Sequence, residues 1–450
     1  MTMTLSRKSF SVLVCTAMAM TAIAPVHAQQ EQEKDNQLSI GLFLLGHGEM
    51  RNGGLNSSES SSSEESDNYA NFLMNRSRLT VDYTKTGLEA KVTAQHGGVW
   101  GQKGQGNFNL FEAWAKLSMR NGLFAQFGRQ ALSYDDERII GPNDWAMASL
   151  SHDVLRVGYE GHGHKVHAIL AYNQNAENIS GGTYYKDGSQ PYKTMHTAWY
   201  HYDVPKVPLG VSLLFMNIGM QAGEIDGIAS NAPRTEYQQL LGGYVCYQPN
   251  PFKAEVSYYH QLGKDETGIK IDAWMASAKA NWQFIPQLGF TVGFDYLSGD
   301  KYFAVPQGGM IGVTRHEKIQ GFNPIYGSHH KFYGMMDFFY VSTYVHGFTP
   351  GLQNFFVGTS CKPIKNLDVQ LRYHYLATAT KLSDVDMTLG HDIDIEASYA
   401  LMPEARLSLG FSYMKGSDTM EFLKRVETNG SLRWGWLSLV VTPKLFSAKW

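Results

Sequence analysis

The chain has 450 residues and a formal net charge of −3, which disfavours nucleic acid as a partner because that role needs a basic field. Beyond the N-terminal leader, no apolar run reaches the ~18 residues that a transmembrane helix needs. Glycine and aromatic residues are abundant, so two classes remain: a large soluble β protein and an outer-membrane barrel.

Met1 to Ala28 reads as an export signal. Arg7 and Lys8 precede an apolar run from Phe10 to Ala24, and Val26-His27-Ala28 offers small residues for cleavage. Cys15 follows Val14 rather than a small residue, which speaks against lipid modification. Residues 29–450 are expected to form a single barrel domain in which Cys246 and Cys361 are free wall residues. From Leu38 onward the pattern alternates with period two. Leu79, Val81 and Tyr83 oppose Arg76, Arg78, Thr80 and Asp82. Leu88, Ala90, Val92 and Ala94 oppose Glu89, Lys91, Thr93 and Gln95. The same reading holds for Ala113 to Leu117, Leu155 to Tyr159, Phe290 to Tyr296, Leu367 to Tyr373, Ile393 to Tyr399 and Leu407 to Phe411.

Short turns fall at Lys85-Thr86-Gly87, Arg120-Asn121-Gly122, Gly161-His162-Gly163, Pro205 to Gly210, Pro249-Asn250-Pro251, Pro286-Gln287, Pro363 to Asn366 and Met402-Pro403-Glu404. Long polar stretches lie between them, including Asn52 to Asn68 and Ser298 to about Gly351. Sorting loops into short and long is a barrel signature, with tight periplasmic turns and long outer loops. The count is about eighteen strands if Met335 to Val345 belongs to a loop, and the terminal Trp450 fits the last strand of such a barrel. The expected location is the outer membrane of a Gram-negative bacterium.

A charge facing lipid near the midplane would cost about 2–4 kcal/mol, so the polar face must line a lumen. About eighteen strands enclose more space than side chains fill, leaving an aqueous passage. The inward set mixes Arg76, Arg78, Lys91, Lys116, Arg156, Lys279, Arg372 and Arg406 with Asp82, Glu89, Glu112, Glu160, Asp295, Asp368 and Glu396. These charges either cross-pair to stiffen a wet wall or ring a constriction that selects permeant charge. Basic residues cluster in the early strands, which points to an anionic or sugar-acid solute. Between Phe127 and Asp153 the chain packs Arg129, Asp135, Asp136, Glu137 and Arg138 just before the Gly141-Pro142 turn. So many charges must be solvated or paired. Folded inward, this loop would narrow the passage.

The motif Gly128-Arg129-Gln130-x-Leu132-Ser133-Tyr134-x-Asp136-Glu137-Arg138-Ile139-Ile140-Gly141, followed by Asp144-Trp145, resembles the alginate-export family of outer-membrane barrels. Gly321-Phe322-Asn323-Pro324 and His330-Lys331-Phe332-Tyr333-Gly334-Met335-Met336-Asp337 form a second similar block. The resemblance runs from about Ile40 to Trp450. It implies an eighteen-stranded porin that passes an anionic uronate polymer through a constriction of arginines and carboxylates. By position it places Arg129, Asp136, Glu137 and Arg138 at that constriction, with Lys331 and Asp337 from the second block. Alternation, however, puts Arg129 on the face of Ala125 and Phe127. It reaches the lumen only if the strand has ended or bulges there.

An enzyme is the rival class. Ser151, His152 and Asp153 are adjacent, so along a strand they point to opposite faces and form no relay. His162 with His164 and His329 with His330 lack the spacing and carboxylates of a catalytic metal site. Gly181-Gly182 and Gly308-Gly309 read as loop glycines. No catalytic residue, metal or cofactor is implied. A glycan-binding receptor or adhesin barrel without steady conductance is the third class. Trp145, Tyr184, Tyr185, Tyr192, Phe303 and Tyr326 would be its sugar-stacking candidates. The partners to expect are outer-membrane lipids, a polysaccharide or small-solute permeant, and periplasmic export or assembly factors.

Overall fold

The computed structural model describes residues 36–52, 69–103, 106–173, 191–225, 228–300, 318–339, 349–381, 386–424 and 431–450. The export-signal segment, Tyr184, Tyr185, Phe303 and both Gly-Gly pairs lie outside the described residues, as does nearly all of the stretch from Asn52 to Asn68.

The wall is a closed antiparallel barrel of 18 strands. They are β1 Gln37–Asn52, β2 Tyr69–Lys85, β3 Leu88–Val99, β4 Asn107–Ser118, β5 Leu123–Gln130, β6 His152–Gly161, β7 His164–Tyr172, β8 Thr194–Asp203 and β9 Leu209–Ile225, followed by β10 Ile228–Tyr247, β11 Phe252–Lys264, β12 Lys270–Ile285, β13 Leu288–Leu297, β14 Leu352–Cys361, β15 Leu367–Ala377, β16 Thr388–Met402 and β17 Ala405–Gly416. The last strand, β18, runs Leu432–Val441 and resumes as Lys444–Lys449. Pro443 has no N–H to give the ladder, and the register on β1 shifts between Ile40 and Gly41 opposite it. Closure joins the chain ends: the Asn36 N–H donates to the Trp450 carbonyl at 2.9 Å and the Trp450 N–H returns the bond at 3.0 Å.

All the turns read from the sequence lie at the end of the barrel that carries both termini. Gly87, Gly122 and Gly163 take the positive φ values of 78°, 88° and 82° that such tight turns require. On the wall, Leu79, Val92, Leu117, Phe127, Val256, Phe294, Ile393, Leu409 and Leu437 face outward and are exposed, whereas Arg76, Gln95, Glu112, Gln126, Asp295, Asp394 and Ser412 are buried on the inner face. Tyr258, Trp274 and Tyr296 stack outside the upper wall, and Trp282, Phe284 and Phe290 cluster near its lower rim. Trp274 and Trp282 share a face of β12 and stand roughly 26 Å apart along the strand at ~3.3 Å per residue. Two aromatic belts bounding an apolar band are the outer surface of a membrane barrel. No helix among the described residues is long and apolar enough to cross a membrane. Cys246 and Cys361 are free.

Alternation understates one feature. Ile169, Ala171, Met195, Met216, Ile218, Leu240, Ala273 and Met275 all sit on the inner face and are fully buried. They are apolar because two loops fold into the lumen and cover them. The core therefore lies inside the upper barrel, where Leu132, Ile139, Ile140, Phe322 and Tyr333 from those loops pack against the wall. Met335 to Phe339 belongs to the second of these loops, while Tyr340 to Val345 lies outside the described residues, and the wall has eighteen strands. The pair Lys318–Ile319 runs parallel to β12 and fills the wall above the end of β13.

Candidate functional site

The first inward loop, residues 131–151, starts where β5 stops after only eight residues. Its path needs left-handed backbone at Asp135 (φ 54°), Glu137 (φ 66°), Asn143 (φ 45°) and Ser149 (φ 53°). Short polar side chains tolerate that conformation best. The second loop covers residues 318–339. The two meet backbone to backbone: the Gly141 N–H donates to the Tyr326 carbonyl at 2.9 Å, Tyr326 N–H to Ile139 at 3.2 Å, and Ser328 N–H to Glu137 at 2.9 Å. Glycine is needed at the contact. A Cβ on Gly141 would stand 2.4 Å from the Ser328 Oγ, and one on Gly327 would stand 2.2 Å from the Arg138 carbonyl oxygen. Side chains complete the joint. Glu137 pairs with Lys331 and accepts from the hydroxyls of Ser133 at 2.7 Å and Ser328 at 3.1 Å. Trp145 stacks on His330 with ring centres 3.9 Å apart.

Together the loops make a bar across the lumen, fixed at several points of the wall. Arg76 donates to the carbonyls of Asp144 and Ala146 at 2.8 and 2.9 Å, and Arg78 reaches the Asp144 carboxylate and the Ser149 hydroxyl at 2.8 Å each. Trp199 and Tyr259 donate to Asp135 at 3.2 and 3.5 Å. Arg138 is 2% exposed. It pairs with Asp295 of β13 at 3.0 Å and Asp136 at 3.2 Å, donates to Ser277 of β12 at 3.0 Å and to Tyr333 at 3.1 Å, and lies over the Phe332 ring at 4.0 Å. Gln261 of β11 exchanges two bonds with the Asn323 backbone at 2.6 and 3.0 Å. The Met335 N–H donates to Asp394 of β16 at 3.1 Å.

The loop carboxylates feel these partners. Burial works to raise Glu137, but the hydrogen bonds from Lys331 and Ser133 and the Lys331 charge outweigh it and hold its carboxyl below the ordinary range. Asp144 behaves the same way: burial is overcome by the guanidinium groups of Arg76 and Arg78. Asp135 is the reverse, pushed up by burial against the hydrogen bonds it accepts. Burial alone would weaken the Arg138 proton, yet Asp295, Tyr333 and Asp136 hold it more firmly than water does.

The residues singled out from the sequence thus fall into distinct settings. Asp136, Glu137, Arg138 and Lys331 come together in the bar, and Arg76 and Arg78 anchor it. Asp337 accepts from His330 at 2.8 Å and lines a small cavity of about 70 Å³ beside Arg51 and Trp434. Lys91 is paired with Glu112 at 2.9 Å. Lys116 lies over the Phe124 ring at 4.7 Å, Arg156 lies over it at 5.5 Å and bonds Gln126, and Arg372 bonds Gln370 at 2.9 Å. None of those three has a carboxylate within ion-pair reach among the described residues. Among the described residues Asp82, Glu89 and Glu396 also face inward with no cation within ion-pair reach, so the wall is mixed in sign elsewhere.

Arg129 is the correction. The expected inward constriction arginine sits on the outer face, held by Asp153 through two bonds of 2.8 and 2.7 Å. The strand neither ends before it nor turns it in. Arg129 is paired in register with Asp153 and Ala113, while its neighbour Gln130 takes the buried inner position. The ladder irregularity falls instead on β4, at Phe111 and Glu112, which are both buried. Sequence reading passed over Lys253, Glu255 and Phe356, also on the inner face. The alternation of Glu255 with Val256 was the available signal.

Closed wall, apolar outside and charged, loop-narrowed interior define an outer-membrane porin-like channel. A family model described as alginate export matches residues 104–421, and the chain belongs to that family. Among solved structures, OccK11 (OpdR) of Pseudomonas aeruginosa superposes with a TM-score of 0.58 at 13% identity, covering 94% of this chain and 100% of that one. OpdL of the same organism gives 0.60 at 12%, covering 91% and 99%. A BenF-like porin from Pseudomonas fluorescens Pf-5 gives 0.59 at 11%, also covering 91% and 99%. At such identities the likeness carries the fold. No curated protein matches the sequence.

Proposed function

We propose that the protein passes hydrophilic, preferentially anionic solutes through a charged constriction below the loop bar, with saccharide acids and acidic oligo- or polysaccharides as the solute class. One observation carries this reading. Lys116 on β4 and Arg156 on β6 flank β5, Lys279 on β12 and Arg372 on β15 flank the pair β13 and β14, and that pair stands on the opposite side of the 18-strand ring from β5. Opposed cations without full neutralisation favour anions at a narrowing. No catalytic step belongs to this reading. His152 turns inward to the Tyr192 hydroxyl at 2.8 Å, whereas Asp153 turns outward to Arg129. The receptor alternative is weakened because Tyr192 and Tyr326 are buried in packing rather than displayed.

The test is single-channel recording in planar bilayers. A steady conductance with a reversal potential favouring anions in a salt gradient is expected, together with partial block by uronate oligomers. Cation preference would remove the constriction reading. Absence of steady conductance with tight glycan binding would move the protein to the receptor class.

A further inference from the structure

Beneath the bar, the inner wall of β12 to β15 holds a recess of about 290 Å³. At ~30 Å³ per water that is about ten waters, room for one sugar ring and a few waters beside it. We infer that this recess is a one-sided seat for a single-ring, hydroxylated monocarboxylate, reached from the periplasmic mouth and closed to a threaded polymer. The inference deepens the channel reading and rests on it.

Three features define the ligand. The first is charge. Glu255 accepts from Lys253 at 3.1 Å and from Lys279 at 2.9 Å, so two ammonium groups share one carboxylate. Among the described residues Arg372 bonds the Gln370 amide at 2.9 Å and has no carboxylate within ion-pair reach. Lys279 and Arg372 both line the recess and leave positive charge for an incoming carboxylate. The second is an aromatic floor. A Cβ on Gly293 would come 2.3 Å from the Phe356 ring, so glycine there lets the ring lie flat against the wall. His374 stacks beside it at 5.5 Å. A flat ring face of this kind suits the C–H face of a pyranose. The third is neutral hydrogen bonding: Asn281, Thr291 and Ser360 line the same space and suit ring hydroxyls rather than a second charge.

The closed end follows from the bar. Phe332, Tyr333 and Arg138 stop the recess on the extracellular side, and the last two are almost fully buried. The lower lining residues, Ser360 and Gln370, lie toward the periplasmic turns. A ring can enter from below, but a chain cannot pass through.

The experiment uses the full chain inserted directionally in planar bilayers, with galacturonate, galactose or benzoate added to one side at a time. Equilibrium binding of the same probes to the detergent-solubilised barrel is measured in parallel. Galacturonate is expected to bind and to block from the periplasmic side. Galactose, which lacks the carboxylate, and benzoate, which lacks the hydroxyls, are each expected to be about tenfold weaker, the worth of one charge-assisted hydrogen bond. Arg372→Gln should weaken galacturonate by a similar factor. Equal binding of galactose, equal binding of benzoate, equal block from both sides, or galacturonate binding unchanged in Arg372→Gln would each overturn the seat. Steady conductance without galacturonate binding sinks the seat alone. Binding that Arg372→Gln weakens, in a barrel that does not conduct, supports the seat and sinks the channel reading.

Discussion

Arg138 and Arg372 both carry a guanidinium into the lumen, yet they do opposite work. Arg138 is enclosed by Asp295, Asp136, Tyr333 and Phe332 and holds a loop to the wall. Arg76 and Arg78 do the same at the other end of the bar, through Asp144 and Ser149. Arg372, like Lys116 and Arg156, bonds or stacks with neutral or aromatic groups and has no carboxylate within ion-pair reach among the described residues. A cation whose donors are all taken by the protein positions backbone, while one left short of partners remains available to a solute. On the wall itself Arg78 and Arg372 both point inward yet take opposite roles, depending on whether a loop reaches them.

The largest test of that division is Arg138→Ala. Removing one partner from a buried pair costs about 3–5 kcal/mol, so the heat-modifiable barrel should unfold at lower temperature and recordings should become noisy as the bar loosens. A shift in ion preference with an intact, quiet channel would erase the distinction. Replacing Lys116 and Arg156 together by glutamine should do the reverse. Stability should change by under about 0.5 kcal/mol per site, while the anion-to-cation permeability ratio falls about twofold. Loss of the folded barrel in that variant would place these side chains with the anchors.

Acid sharpens the comparison. Glu137 titrates below its ordinary value of 4.5, so the stabilisation it gives the joint with Lys331 is present above that value and is lost as pH falls through the lower folded one. Asp135 is raised above 3.8 and takes its proton earlier on acidification, which relieves its burial rather than loosening the loop. Channel noise should therefore stay flat from about pH 7 to about pH 5 and rise only in stronger acid. Noise that climbs near neutrality would contradict this order. The smallest effect is expected at Arg129→Ala. Its partly exposed pair with Asp153 contributes under about 1 kcal/mol, and the reversal potential should not move because the side chain lies outside the lumen.

Much of the wall was legible because strand alternation and turn chemistry are local. Lys85-Thr86-Gly87 can only turn sharply, and Leu79 and Arg78 must face opposite sides whatever lies elsewhere. The outward setting of Arg129 was legible for the same reason, since its parity with Phe127 holds up to the last residue of β5. The resemblance to arginine-lined constrictions pointed the other way, and the local rule proved the stronger guide. The apolar inner positions from Ile169 to Met275 carried no such signal, because their burial depends on a loop distant in sequence.

By itself the sequence determined the barrel, its short-turn end and the parity of most wall side chains, consequences of a period of two repeated along the chain and broken at the Phe111–Glu112 irregularity. The tertiary structure alone decided which charges are spent on anchoring and which stay open. That choice is made where Gly141 meets Tyr326 and where Arg138 finds Asp295, contacts between segments more than a hundred residues apart that no local pattern encodes.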